Sequence, residues 1–264
     1  MAAISHSRNY WPDSKCAKAF WQQHHLPSYQ ELLDDTVAWL EPHAGEHWLD
    51  LGCGCGQLSQ ALWQRSRGQV AEVIGLDCAA ANAKAYERLR EKLNPSPSET
   101  QVRFVAADLS HGLASWPKNG FDGVVSGLAI QYAESFSAES GCWTTAAYDQ
   151  VLHDIFTLLR PGGRLVFSVN VPEPSWGWVA WKSLSSIFRT RRFFKSLKDS
   201  WRLYSYGGWL KREARRGRFH YLPIAVILAK LAQAGFVRLE HRLSYAKQAY
   251  VIRAWKPESA VQAA

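Results

Sequence analysis

The stretch Leu49-Asp50-Leu51-Gly52-Cys53-Gly54-Cys55-Gly56 restricts the fold of this chain more than any other feature. It joins a strand-like run, Glu46 to Leu51, to a helical pattern marked by Leu58, Ala61 and Leu62. Alternate glycines at a strand-to-helix turn leave the backbone open to a ligand, because a side chain there would block the approach. Two acids follow in register. Asp77 ends the next strand-like run, Glu72 to Asp77, and stands 21 residues after Gly56. A carboxylate so placed can accept both hydroxyl protons of a ribose. Asp108 ends a third run, Gln101 to Ala106 plus AADLS, where an acid can meet an adenine amino group.

Strands and helices alternate along most of the chain. Pro27-Ser28 introduces a helix with Leu32, Leu33, Val37 and Leu40 at helical spacing, and Ala79 to Leu93 forms another, ended by NPSPSE. Phe121 to Ile130 reads as a fourth strand, Thr144 to Leu159 as a helix stopped by Pro161-Gly162-Gly163, and Arg164 to Val171 as a fifth strand. After residue 220 come a helix, IAVILAKLAQAGF, and two closing strands, Val237–Leu243 and Ala249–Trp255. This order predicts an α/β fold with a parallel sheet covered on both faces. We expect one domain over 1–264, with an N-terminal covering segment at 1–27 and an insertion at 172–220 after strand five.

The glycine spacing discriminates among nucleotides. Dinucleotide binders want GxGxxG, whereas here the third glycine comes one residue early and Gln57 fills the usual place. Asp50 would sit badly beside a pyrophosphate but can hold a cationic amino group. A P-loop is excluded, since no GK[ST] occurs. S-adenosylmethionine, with an amino-acid tail and no phosphate, suits the motif.

On these residues the chain resembles the class I methyltransferase superfamily, nearest to its small-molecule and lipid branch. WLDLGCGCG is similar to the family's glycine motif, with Cys55 in place of the commoner threonine, and VIGLDCAA to its second motif. FDGVVSGLAIQY and LLRPGGRLVFSV resemble the motifs at and before strands four and five. The resemblance implies a seven-stranded, mostly parallel sheet whose last strand is antiparallel. It also implies S-adenosylmethionine as cofactor, with Asp50, Gly52, Cys53, Gly54 and Gly56 at its methionine part and Asp77 at the ribose. Cys78 would pack on the adenine, Asp108 and Leu109 would hold its edge, and Ser126 and Gly127 would face the methyl-donor centre. Tyr10 would close over the cofactor from the N-terminal segment.

The acceptor is less defined. A positioned base usually serves an oxygen acceptor, and the candidates are His220 and Tyr221, just before Pro223, where many relatives carry a His-Arg-Pro run. Lys182 to His220 holds twelve Lys/Arg and two Asp/Glu, a local net of +10 in a chain of formal charge +8, so the remainder carries −2. Five of the thirteen tryptophans lie in residues 172–220. Aromatic and basic side chains together fit a lid over an apolar pocket, with Trp176 and Tyr206 touching a hydrophobic acceptor such as a lipid, quinone or isoprenoid. They also fit contact of 182–220 with an anionic membrane surface. Alternatives are RNA, for which basic patches with aromatics also serve, and a cofactor-binding module without catalysis. RNA is disfavoured because the Asn/Asp-Pro-Pro-aromatic signature and a Pro-Cys nucleophile are both absent. No cysteine or histidine spacing suits a metal, and with no apolar leader we expect a cytoplasmic enzyme, peripheral to the membrane at most.

Overall fold

The computed structural model describes residues 11, 27–93, 101–175 and 207–258. Its main sheet has seven strands: β1 (His47–Leu51), β2 (Glu72–Asp77), β3 (Val102–Ala106), β4 (Phe121–Gly127), β7 (Leu159–Asn170), β8 (Val237–Ser244) and β9 (Ala249–Trp255). They lie in the order β3-β2-β1-β4-β7-β9-β8. The first five are mutually parallel, and β9 runs antiparallel to both β7 and β8. A short antiparallel hairpin, β5 (Ser135–Ser137) and β6 (Cys142–Thr144), stands apart.

The helices are α1 (Pro27–Ala38), α2 (Gln57–Arg65), α3 (Ala80–Leu93), α4 (Ala146–Leu158), α5 over residues 207–215, and α6 (Ile224–Ala234). Period-two alternation in β1 divides the core. Leu49 and Leu51 join a cluster with Val151, Ile155, Ile227 and Leu231 of α4 and α6. Trp48 joins Leu58, Leu62 and Tyr86 of α2 and α3 on the opposite face. Asp50 shares the Trp48 face and is therefore carried under α2 rather than out to solvent.

The two largest boundary differences from the sequence reading flank strands four and five. The fourth strand ends at Gly127, not Ile130. Leu128 takes φ +53° and its N–H is bound at 3.1 Å to both the carbonyl and the hydroxyl of Ser168, so the chain leaves the sheet there. Helix α4 ends at Leu158, and Pro161-Gly162-Gly163 lies within β7 rather than in a separate loop. Proline holds the preceding residue extended, and Gly162 donates to the Lys256 carbonyl at 3.1 Å. Tyr10, Trp176 and Tyr206, with most of the expected covering segment and insertion, lie outside the described residues. Among the described residues no helix is long and apolar enough to cross a membrane.

Candidate cofactor and acceptor site

A cavity of about 200 Å³ lies at the carboxyl ends of the parallel strands, where ligands bind in open α/β sheets. One end is made by the glycine turn, Asp77, Cys78, Asp108 and Leu109. The other is made by Trp11, Tyr132, Asn170, Leu210 and Tyr245, with Tyr29, Gly127 and Leu128 also in the wall.

The turn is shaped for its glycines. At Gly54, φ is +54° and a Cβ would meet no described atom within 4 Å beyond its chain neighbours, which leaves space above the backbone for a ligand. Gly52, at φ +66°, differs: its Cβ would overlap that of Ala129. Gly56, at φ +85°, packs on Leu89 and Tyr86 and does not line the cavity. The turn is held by Gly52 and Cys53, whose N–H groups both donate to the Leu76 carbonyl, at 2.7 and 3.0 Å.

Asp77 is fixed on both oxygens: Oδ1 accepts from the Ala79 N–H at 2.8 Å and Oδ2 from the Gly54 N–H at 3.0 Å. Burial raises its pKa, against these bonds and one from Asn82. Asp108 accepts from the Ser110 N–H at 2.9 Å, which caps the following 3-10 turn (Leu109–His111) and sets the carboxylate at the cavity edge.

Asp50 lies one layer below. Its Oδ2 accepts from the Ser59 hydroxyl at 2.6 Å and the Ser59 N–H at 3.1 Å, and Tyr86 donates onward to Ser59 at 2.8 Å. Its Oδ1 is buried with no partner. Burial pushes its pKa up to about 7, the Ser59 bonds oppose that shift, and the charge of Asp77 adds to it. Three acids and no cation line or underlie this end among the described residues, an electrostatic setting for a cationic ligand.

Ser126 does not reach the cavity. It is fully buried and its hydroxyl donates to the Leu51 carbonyl at 2.8 Å, so it ties β4 to β1. Gly127, its neighbour, does line the cavity. His220 is likewise behind the wall: its Nε2 is 2.9 Å from the Ala133 carbonyl and its ring packs on Tyr148. That carbonyl can only accept, so Nε2 carries the proton, and burial lowers the pKa of the ring. Tyr221 is also buried, but its hydroxyl is 3.1 Å from that of Tyr132, which lines the cavity.

The aromatic end draws on segments far apart in sequence. Trp11 sits 4.4 Å from Tyr132 and 5.9 Å from Trp209, centroid to centroid, and Phe219 packs edge-on to Tyr132 at 5.0 Å. Residues 207–220 are pinned beneath by Arg218, 2% exposed, which pairs with Glu134 and with Glu213. Tyr245 begins a run of three non-glycine residues at positive φ, Tyr245, Ala246 and Lys247, that closes the β8–β9 turn over α1. Its ring meets Tyr29 edge-on at 6.3 Å. Sequence reading missed Tyr29, Tyr132, Asn170, Leu210 and Tyr245. It chose Tyr10 for the covering segment, and the adjoining Trp11 is the one described residue there.

Known proteins share this fold. Residues 42–205 match the family described as "Methyltransferase domain". The chain belongs to that family. Its members with this fold use S-adenosyl-L-methionine as methyl donor. A solved S-adenosylmethionine-dependent methyltransferase from Mesorhizobium loti superposes with a TM-score of 0.54 at 20% identity, covering 84% of this chain and 96% of that one. Demethylmenaquinone methyltransferase of Thermus thermophilus is 29% identical over 202 residues, 73% of this chain and 75% of the relative. The 23S rRNA (uracil(1939)-C(5))-methyltransferase of Pseudomonas putida is 34% identical over 96 residues, 36% of this chain. The chain spans only 20% of the length of that relative.

Proposed function

We propose that this protein transfers a methyl group from S-adenosylmethionine to a hydrophobic small molecule, with a ring of the quinone type as the leading acceptor. The observation that carries the reading is the two-ended cavity: acids and open glycine backbone at one end, aromatic rings at the other, on one fold.

The residues fit the cofactor. Open space above Gly54, the partnerless Oδ1 of Asp50 and the absence of a cation among the described lining residues suit an ammonium-bearing tail, with Gly52 and Cys53 completing the turn. Asp77 would accept the ribose hydroxyl protons, and Cys78, Asp108 and Leu109 would enclose the adenine. Bound there, the cofactor supplies a methyl group on a positively charged sulfur, already activated for in-line displacement. The chain's own task is then alignment and exclusion of water, which can supply up to about 7–11 kcal/mol when positioning is ideal. Trp11, Tyr132, Leu210 and Tyr245 would hold a flat apolar acceptor against the end of β4. Residues 172–220 would act as the lid in this reading, with Trp176 and Tyr206 on the acceptor and the basic residues of 182–220 on an anionic membrane.

The likeness to an rRNA methyltransferase and the basic segment favour RNA as second reading. A cysteine-assisted attack on a pyrimidine needs a thiolate, however, and burial holds the cavity thiols protonated. It pushes Cys55 up to about 11 and Cys78 up to about 12. A labelled-methyl assay on lipid extract, RNA and protein fractions tests the choice. Label in the lipid fraction is expected, and label in RNA alone would replace this reading with the second.

A further inference from the structure

The aromatic end of the cavity contains a buried carbonyl oxygen with no hydrogen-bond donor among the described residues. Asn170, the last residue of β7, lines the cavity and is 1% exposed. Its backbone N–H is held by Gln131 Oε1 at 2.6 Å, and Gln131 in turn donates to the Leu128 carbonyl at 3.3 Å. Its Nδ2 points to the Tyr132 hydroxyl at 3.5 Å, and that hydroxyl meets Tyr221 at 3.1 Å. Its Oδ1 has no partner among the described residues. A buried carbonyl oxygen without a donor costs free energy, and Asn170 shares the cavity wall with Trp11 and Tyr132, whose rings pack on each other.

Position argues against a cofactor role. Asp77 ends β2, and Asn170 ends β7, three strands away across β1 and β4. At about 4.8 Å per strand that is about 14 Å. Ser168 pairs with Gly127, the last residue of β4, so Asn170 projects two residues past the wall at which β4 stops. It stands on the acceptor side of the cavity.

We infer that Asn170 is the residue that orients the acceptor, its Oδ1 accepting a hydrogen bond from a ring hydroxyl, which a quinone-type ring carries in its reduced, quinol form, while Tyr132 and Tyr221 hold the amide in place. This rests on the reading of a small aromatic acceptor. It adds a specificity rule: a carbonyl oxygen rewards a hydroxyl and gives nothing to an ether or an unsubstituted ring. Sites built around such a bond reject analogues that lack the donor far more strongly than apolar pockets reject a change of size.

The test measures binding, so it does not depend on turnover. With S-adenosylhomocysteine bound, the wild-type chain is titrated with 1-naphthol and with 1-methoxynaphthalene, followed by tryptophan fluorescence. Wild type is expected to prefer the naphthol by about tenfold or more, Asn170→Leu to bind both alike, and Asn170→Asp, which keeps an acceptor oxygen, to retain the preference in part. Affinity for S-adenosylhomocysteine should be within about threefold of wild type in both variants, which also reports that they fold. Equal binding of the two ligands by wild type, binding of neither, or loss of S-adenosylhomocysteine affinity in Asn170→Leu would overturn the assignment. Methyl label appearing only in RNA would overturn the acceptor class instead, and the two failures are read from separate experiments.

Discussion

The acid end and the aromatic end of the cavity are built by different means. The acid end is local: each group follows a parallel strand directly, Gly52–Gly56 after β1, Asp77 at the end of β2 and Asp108 just past β3. Its side chains are tied to backbone, as Asp77 is to Gly54 and Ala79. The aromatic end is assembled from Trp11, Tyr29, Tyr132, Leu210 and Tyr245, spread over most of the chain and held by ring packing. A cofactor shared by many enzymes needs the first kind of site. An acceptor particular to one enzyme can be served by the second, where segments vary without disturbing the sheet.

The largest effect that would sharpen this contrast is at Gly54. A valine there places atoms in the open space above the turn and strains a residue at φ +54°. Calorimetry should detect no S-adenosylmethionine binding, while thermal unfolding shows the fold retained; wild-type affinity would break the acid-end assignment. In the basic segment outside the described residues, Arg191, Arg192 and Lys195 all reversed to Glu should cut flotation with anionic liposomes about 100-fold at low salt, at about 1 kcal/mol per basic residue. Cofactor affinity should be unchanged. Wild-type chain that fails to float with such liposomes would remove the membrane from the proposal.

Asp77→Ala should weaken cofactor binding by about 1.5–3 kcal/mol, the scale of charge-assisted hydrogen bonds, and leave naphthol affinity nearly intact. A pH effect follows from Asp50. Its folded pKa of about 7 lies above that of an unfolded aspartate, so the folded state holds a proton that the unfolded chain has lost. Stability without ligand therefore falls as pH rises from about 4 to 7 and then levels. A bound cation favours the carboxylate, so cofactor affinity should rise with pH, by up to about 25-fold between 5.5 and 7.5, and plateau above. Asp50→Asn should flatten that profile, and a profile that stays steep in the variant would assign the proton elsewhere. The smallest effect is expected at Trp11→Ala, about a tenfold rise in acceptor KM from lost ring contact, with cofactor affinity unmoved. An equal loss of both would merge the two ends into one.

Much of the fold was legible because it rests on short-range signals. EVIGLD is β2 residue for residue, and the second closing run is β9. The hairpin Ser135–Ser137 with Cys142–Thr144 was not legible: three-residue strands carry too little periodicity to read. Of the residues named from the motif, Gly52, Cys53, Gly54, Asp77, Cys78, Asp108, Leu109 and Gly127 line the cavity. Ser126 and His220 are not in that wall, because strand alternation and a backbone carbonyl turn them inward.

By itself, the amino-acid sequence determined the alternating strands and helices, the glycine turn and the acids that follow it, since each depends on residues adjacent in the chain. Only the tertiary structure decided that Asp50 would be buried under Ser59 with one oxygen unanswered, and that Asn170 would meet Tyr132 and Tyr221. It also decided that Tyr29 and Tyr245 would come together over the strand ends. Periodicity says which face of an element is apolar, but not which distant segment will cover it, and the aromatic end of this cavity consists of such coverings.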